Sequence, residues 1–236
     1  MKSILHKANV RGKADYGWLK ANYSFSFGNF YDSSRIHFGM LRVLNDDLIA
    51  TGMGFDTHPH DNMEIISIPL KGVLEHKDDM GHISQISIND VQVMSAGTGI
   101  THSEYNPSAK EAVNLLQIWI SPQKRNVEPR YDQKKFNSEE RINRFQTLVS
   151  PFENNGNLWI NQKSWISIIS FDSLKKIDYC VHNKGNGIYF FVIDGTIDIE
   201  NIPLTNRDGL GLWEIDRIGL KSKEKAELLI IEVPMF

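Results

Sequence analysis

The sequence predicts an all-β fold in which two similar β units share one chain. Three observations carry this prediction. Short runs rich in Ile, Val and aromatic residues are closed by Asn, Asp, Gly or Pro roughly every ten residues, which is the pattern of strands and turns. Sustained helical periodicity is nearly absent. A faint internal repeat relates the two halves.

The elements follow in order. MEIISIPL before Lys71-Gly72, HISQISI before Asn89-Asp90 and VNLLQIWI before Ser121-Pro122 read as strands of the first unit. The stretch SEERINRFQTLVS, residues 138–150, is the best short helical candidate. GIYFFVI, residues 187–193, reads as a strand of the second unit, closed by Asp194-Gly195. Exposed, that run would be an aggregation hazard, so it is expected to be buried.

The repeat has one copy from Ile68 to Glu75, followed by Asn89-Asp90 and Val91 to Ser95. The other runs from Phe191 to Asp198, followed by Arg207-Asp208 and Gly209 to Trp213. Each reads as strand, Gly turn, strand, spacer and an acidic turn into a further strand. The polar, Pro-containing stretch QKRNVEPRYDQKKFN (123–137) is the weakest join. It divides the chain into units 1–133 and 134–236.

Composition bounds the function. The 236 residues are 41% hydrophobic and 23% charged, ordinary for a globular chain that buries roughly 70% of its unfolded surface. Lys and Arg number 26 against 29 Asp and Glu, so there is no basic footprint for direct nucleic-acid binding. The single cysteine, Cys180, excludes an internal disulfide and fits a reducing compartment. No apolar run reaches the ~18 residues of a membrane span, and MKSILHKANVRGK has no apolar signal segment. The expectation is a cytoplasmic protein without membrane attachment.

Chemistry concentrates in two short segments. In His58-Pro59-His60 the two imidazoles are two residues apart, on one face of an extended chain and about 6.6 Å apart. Forty residues on, Gly97-Thr-Gly-Ile-Thr leads into His102 and Glu104 with the same spacing. Three histidines and a carboxylate make a four-ligand set; on a six-coordinate ion it leaves two open positions. Such mixed ligation suits Fe(II), Mn, Ni or Cu, and Zn also accepts it. Among the other histidines, His76 and His82 flank a hairpin tip with Asp78 and are expected to face solvent rather than form a second metal site. Cys180 and His182 repeat the two-residue spacing, but a lone strand cysteine is expected to be an inert core residue.

These residues resemble the bicupin family called pirins. The resemblance runs from SFSFGNFYD and FGMLRVLNDD through GFDTHPHDNMEIISIPLKG and VQVMSAGTGITHSEYNP to LQIWISP and EPRY, over more than half of the chain. In the C-terminal half DGLGLWE is the best landmark. The general cupin signature also shows, as Gly52, His58, His60 and Glu64, then Gly99, His102 and Asn106. Two departures stand out: the interval from Glu64 to Gly72 is one residue longer, and Gly97 stands where proline is usual. In most cupins the first-motif glutamate is the fourth ligand; in pirins it is the glutamate two residues after the later histidine.

The resemblance therefore implies two stacked cupin (jelly-roll-like) barrels, with one divalent metal, Fe(II) first, on His58, His60, His102 and Glu104. Glu64 would be left behind the ligands, in a place to orient a ligand histidine, or as a structural group. Phe55 and Met94 would line an aromatic substrate's pocket, whereas Met53, Tyr105 and Trp119 are expected to be core. Aligning the two units places Val181, Asn183, Leu220 and Ser222 opposite the ligands, so the second barrel keeps no metal site. The resemblance further implies a dioxygenase that opens a flavonol such as quercetin with dioxygen, giving a depside and carbon monoxide, with Glu104 as ligand and base. Its alternative is a redox-dependent regulatory module that binds a protein partner without turnover.

Overall fold

Two seven-stranded sheets lie back to back, each closed on its outer side by a four-stranded sheet. The computed structural model describes residues 1–153 and 156–235 and has 22 strands among them, with only two three-residue to four-residue 3-10 turns. The strand orders of the two halves correspond. In the first large sheet Asp90–Ser95, Glu64–Lys71, Val113–Ile120 and Leu41–Ile49 are successive neighbours. In the second the sequence is Gly209–Trp213, Asn186–Asp194, Ala226–Pro234 and Trp165–Phe171. The repeat is thus a repeat of topology. Asp90 accepts from the Ser87 backbone N–H at 2.8 Å and Asp208 from that of Thr205 at 3.0 Å, so the two acidic turns are capped alike.

Alternation along each strand decides which residues meet where. On Glu64–Lys71, Ile66 and Ile68 face the other half, while Ile65 and Ser67 face the interior of the first barrel. The buried apolar layer between the halves combines Leu44, Ile66, Ile68, Val93, Leu116 and Ile118 with Ile166, Ile168, Tyr189, Phe191, Leu229 and Ile231. Residues 187–193 are buried, in a strand paired on both sides. The second barrel's interior is packed with Tyr179, Phe190, Leu210, Ile218, Leu220 and Ile230.

The join differs in detail from expectation. Arg130–Lys135 pairs with Asp90–Ser95 in the first barrel, so a division after residue 133 falls within a strand. Lys2–His6 pairs with Gly209–Trp213 and completes the second barrel's large sheet. Residues 138–150 are not a helix. Asn137 caps a single 3-10 turn, Ser138–Arg141, and Asn143 then takes a left-handed conformation at φ 54°. Gln146–Ser150 continues as a strand on Trp165–Phe171, because burying Leu148 and Val149 in the layer between the halves outweighs a short local helical period. Cys180 is exposed rather than core, since alternation turns Tyr179 inward and Cys180 out.

Candidate metal centre

Two adjacent strands of the first barrel's outer sheet carry the histidines. Gly54–His60 pairs with Ile100–Tyr105 so that His58 lies opposite His102, and a register shift follows between His102 and Glu104. Proline at position 59 is tolerated because Gly54–His60 is an edge strand. Nitrogen atoms of His58, His60 and His102 all lie within 4.8 Å of one another. This is the one cluster of three or more metal-capable side chains among the described residues. Cys180 and His182 do not join such a cluster; the His182 ring instead stacks on Trp165 and meets the Glu232 carboxylate at 2.9 Å.

The donor set fits a metal ion. His58 Nδ1 lies 2.7 Å from the Asp56 carbonyl; a carbonyl only accepts, so the proton sits on Nδ1 and Nε2 keeps its lone pair. His102 Nε2 is buried with no protein partner. Burial, then the neighbouring charges of His102 and His58, lower His60 to about 4. Burial, then His58 and His76, lower His102 to about 3. Both imidazoles are therefore neutral near pH 7, the form that binds metal.

A relay that sequence reasoning missed fixes His102. Its Nδ1 lies 3.3 Å from His76 Nδ1, and His76 Nε2 lies 3.1 Å from Asp78 Oδ2. The carboxylate accepts from His76 Nε2–H, so His76 Nδ1 accepts from His102 Nδ1–H, and the free lone pair of His102 is its Nε2. Burial pushes the Asp78 carboxyl up, but hydrogen bonds from His76 and His82 outweigh it and hold Asp78 below its ordinary value. Tyr131 stacks on both rings, at 4.6 Å from His76 and 4.9 Å from His82. His76, Asp78 and His82 thus form the support of the cluster, with His76 wholly buried rather than facing solvent.

Glu104 lies outside the 4.8 Å cluster but beside it, and its charge acts on His60. It is buried, with Oε1 accepting from Ser67 Oγ at 3.1 Å and Oε2 from Gln117 Nε2 at 2.8 Å. Each oxygen keeps a further lone pair. Glu64 does not support the site. It faces the other half of the molecule, accepting from Ser95 Oγ at 2.6 Å and from Asn161 Nδ2 at 3.2 Å. The physical reason is its position one residue before Ile65, on the opposite face of the strand.

A cavity of about 410 Å³ adjoins His58, His60 and Glu104, within the size range of small-molecule sites. Trp18, Phe27, Phe55, Ile65 and Trp119 form its apolar walls. Phe55 is part of its wall; Trp119, expected to be core, lines it too and meets the His60 ring edge-on at 4.9 Å. Met94 does not. It is fully buried with Ile65, Ala96 and Ile100, behind the wall. Asn45, Asp47 and Gln117 enter from the large sheet opposite. Burial, then the charges of Asp46 and Glu104, push Asp47 up to about 8.

Comparison with known proteins agrees with this construction. Residues 5–120 match the family model described as Pirin, and residues 147–233 that of a quercetinase C-terminal cupin domain. A protein of Escherichia coli named quercetin 2,3-dioxygenase is 39% identical over 232 residues, covering 98% of each chain. A putative quercetin 2,3-dioxygenase of Pseudomonas aeruginosa is 40% identical over 94% of this chain and 95% of its own. The crystal structure of the Escherichia coli bacterial pirin YhhW in complex with nickel(II) superposes with a TM-score of 0.94 at 36% identity, covering 100% of each chain. Among the described residues no helix is long and apolar enough to cross a membrane. From its sequence, its two matched barrels and its histidine cluster, this chain belongs to the pirin family.

Proposed function

We propose that this protein is a metal-dependent dioxygenase that opens the ring of a flavonol such as quercetin. The observation that carries the reading is the convergence of three histidines on one point beside an apolar cavity, with a buried carboxylate next to them. His58, His60 and His102 would hold one divalent ion, Fe(II) first, with Glu104 as the fourth ligand. When bound, the ion supplies a Lewis acid for the flavonol's enol oxygen and a site at which dioxygen meets the electron-rich ring.

The chain's own residues do the rest. Trp18, Phe27, Phe55 and Trp119 receive the aromatic rings and exclude water from them. Ser67 and Gln117 hold the Glu104 carboxylate in one orientation, with a free lone pair to take the proton of the enol hydroxyl. The Asp78–His76 pair keeps the proton of His102 on Nδ1 and the ring fixed.

Metal content and oxygen uptake test this together. Protein loaded anaerobically with Fe(II), Mn, Ni, Cu or Zn and then desalted should retain about one ion per chain with at least one of these metals. His58→Ala and Glu104→Gln should each lower that content. Loaded wild type should consume oxygen with quercetin. Full metal retention by Glu104→Gln would remove it from the ligand set and leave it as the proton acceptor alone. No oxygen uptake by protein shown to be loaded with each metal would refute the dioxygenase reading.

A further inference from the structure

Three polar atoms in the wall of the cavity have no hydrogen-bond partner among the described residues: Asn45 Oδ1, Asp47 Oδ1 and Trp119 Nε1. Asp47 is the most costly of them. It is 4% exposed and sits on Leu41–Ile49, where Asn45, Asp47 and Ile49 point into the first barrel while Asp46 points out of it to Arg11 and Arg207. A buried carboxyl oxygen without a hydrogen bond is destabilising, and an apolar residue would fill the place better if packing were its only task. Its neighbour Asn45 lies opposite Gln117 in register, and Gln117 already serves Glu104. The histidines come from one sheet and this pair from the other.

We propose that Asp47, with Asn45 beside it, anchors the cavity's ligand through a hydroxyl group remote from the oxygen that meets the histidine cluster. The inference rests on the reading of the cavity as the substrate site, and it names the chemical class. The ligand is an aromatic compound with at least two oxygen substituents, one for each sheet. The unpaired Asp47 Oδ1 accepts from a phenolic O–H whether or not the carboxyl is protonated, and so matches a phenol. The preference follows from the unpaired groups: a ligand without the second hydroxyl leaves them buried and unsatisfied, which selects strongly against it.

The test uses full-length, metal-loaded protein and two probe series, read by quenching of tryptophan fluorescence. One series is 3-hydroxyflavone against quercetin; the other is 2-naphthol against 2,6-dihydroxynaphthalene. Wild type should bind the more hydroxylated member of a series about tenfold or more tighter. Asp47→Leu should erase that preference, and Asp47→Asn should restore most of it. Thermal melting establishes that each variant is folded; Asp47→Asn alone decides if the leucine variant is not.

If flavonols neither bind nor react but the naphthalenediol preference exists and depends on Asp47, the flavonol reading falls and the anchor stands. If quercetin binds and is turned over with a preference unchanged in both variants, the anchor falls and the flavonol reading stands. Failure of every probe to bind overturns both.

Discussion

The relay behind His102 makes the sharpest prediction, because its key member, Asp78, reaches His102 only through His76. Asp78→Asn removes the charge and one of two acceptor oxygens from a side chain that is 0% exposed. That side chain accepts from His76 Nε2 at 3.1 Å, His82 Nδ1 at 2.9 Å, and the backbone N–H groups of Met80 at 3.1 Å and His82 at 2.9 Å. One amide oxygen cannot take four donors, and the amide NH2 must face one of them. His76 then loses the partner that fixes its tautomer, and His102 Nδ1 loses a dependable acceptor. Removing such supporting groups costs about 10–100-fold in metal affinity, which is about 1.4–2.8 kcal/mol. Competition for Ni(II) or Fe(II) against a chelating dye at fixed pH measures it. His82→Ala is the comparator, since the His82 ring is 41% exposed and its removal leaves the carboxylate's contact with His76 in place; its loss should be smaller. An Asp78→Asn protein with wild-type affinity and an unchanged near-ultraviolet spectrum would refute the relay.

Other outcomes follow from the same geometry. Below pH 6.5 the unfolded chain takes up protons that His60 refuses to about pH 4 and His102 to about pH 3. The metal-free protein should therefore lose stability as pH falls from 6.5 toward 4, and melting curves of a His60→Gln, His102→Gln double variant should fall less steeply over that window. Asp47 has the opposite sign. Its raised pKa means the folded state holds a proton that the unfolded state gives up, so stability is lost between about pH 4 and 8. Asp47→Asn should raise Tm relative to wild type at pH 8 and lose that advantage by pH 4. Gly54→Ala should destabilise by about 1–3 kcal/mol and lower bound metal, because a Cβ there meets the backbone of Glu104 and Tyr105; unaltered metal content and Tm would contradict the close strand approach.

How far the sequence could be read depended on the range of the cause. The strands, the Gly turns and the repeat are local signals, and Gly72 and Gly195 hold the left-handed turns expected of them, at φ 76° and 85°. The three histidines were legible because spacing alone puts His58 and His60, and then His102 and Glu104, on one face each. The error at Glu64 was local too: Ile65 and Ser67 face the barrel interior, so a period of two sends Glu64 the other way. His76 and Asp78 were not legible as support. Their function depends on strand Val73–Asp78 lying beside Ile100–Tyr105, a pairing across some 26 residues that no local pattern encodes. Asp47 was hidden similarly, as one of two adjacent acids of which one faces an ion pair and the other the cavity. Residues 138–150 and Cys180 misled because local period and residue type were weighed without the neighbouring sheet.

The placement of Lys2–His6 bears on how the chain is made. Its partner, Gly209–Trp213, leaves the ribosome some two hundred residues after it. Throughout that interval the segment has no sheet to join, while the first barrel's own strands, from Gly12 to Lys135, can already pair among themselves. This strand, first in chain order among those described, is thus among the last to be locked in. Until it docks, Gly209–Trp213 presents an unpaired strand edge.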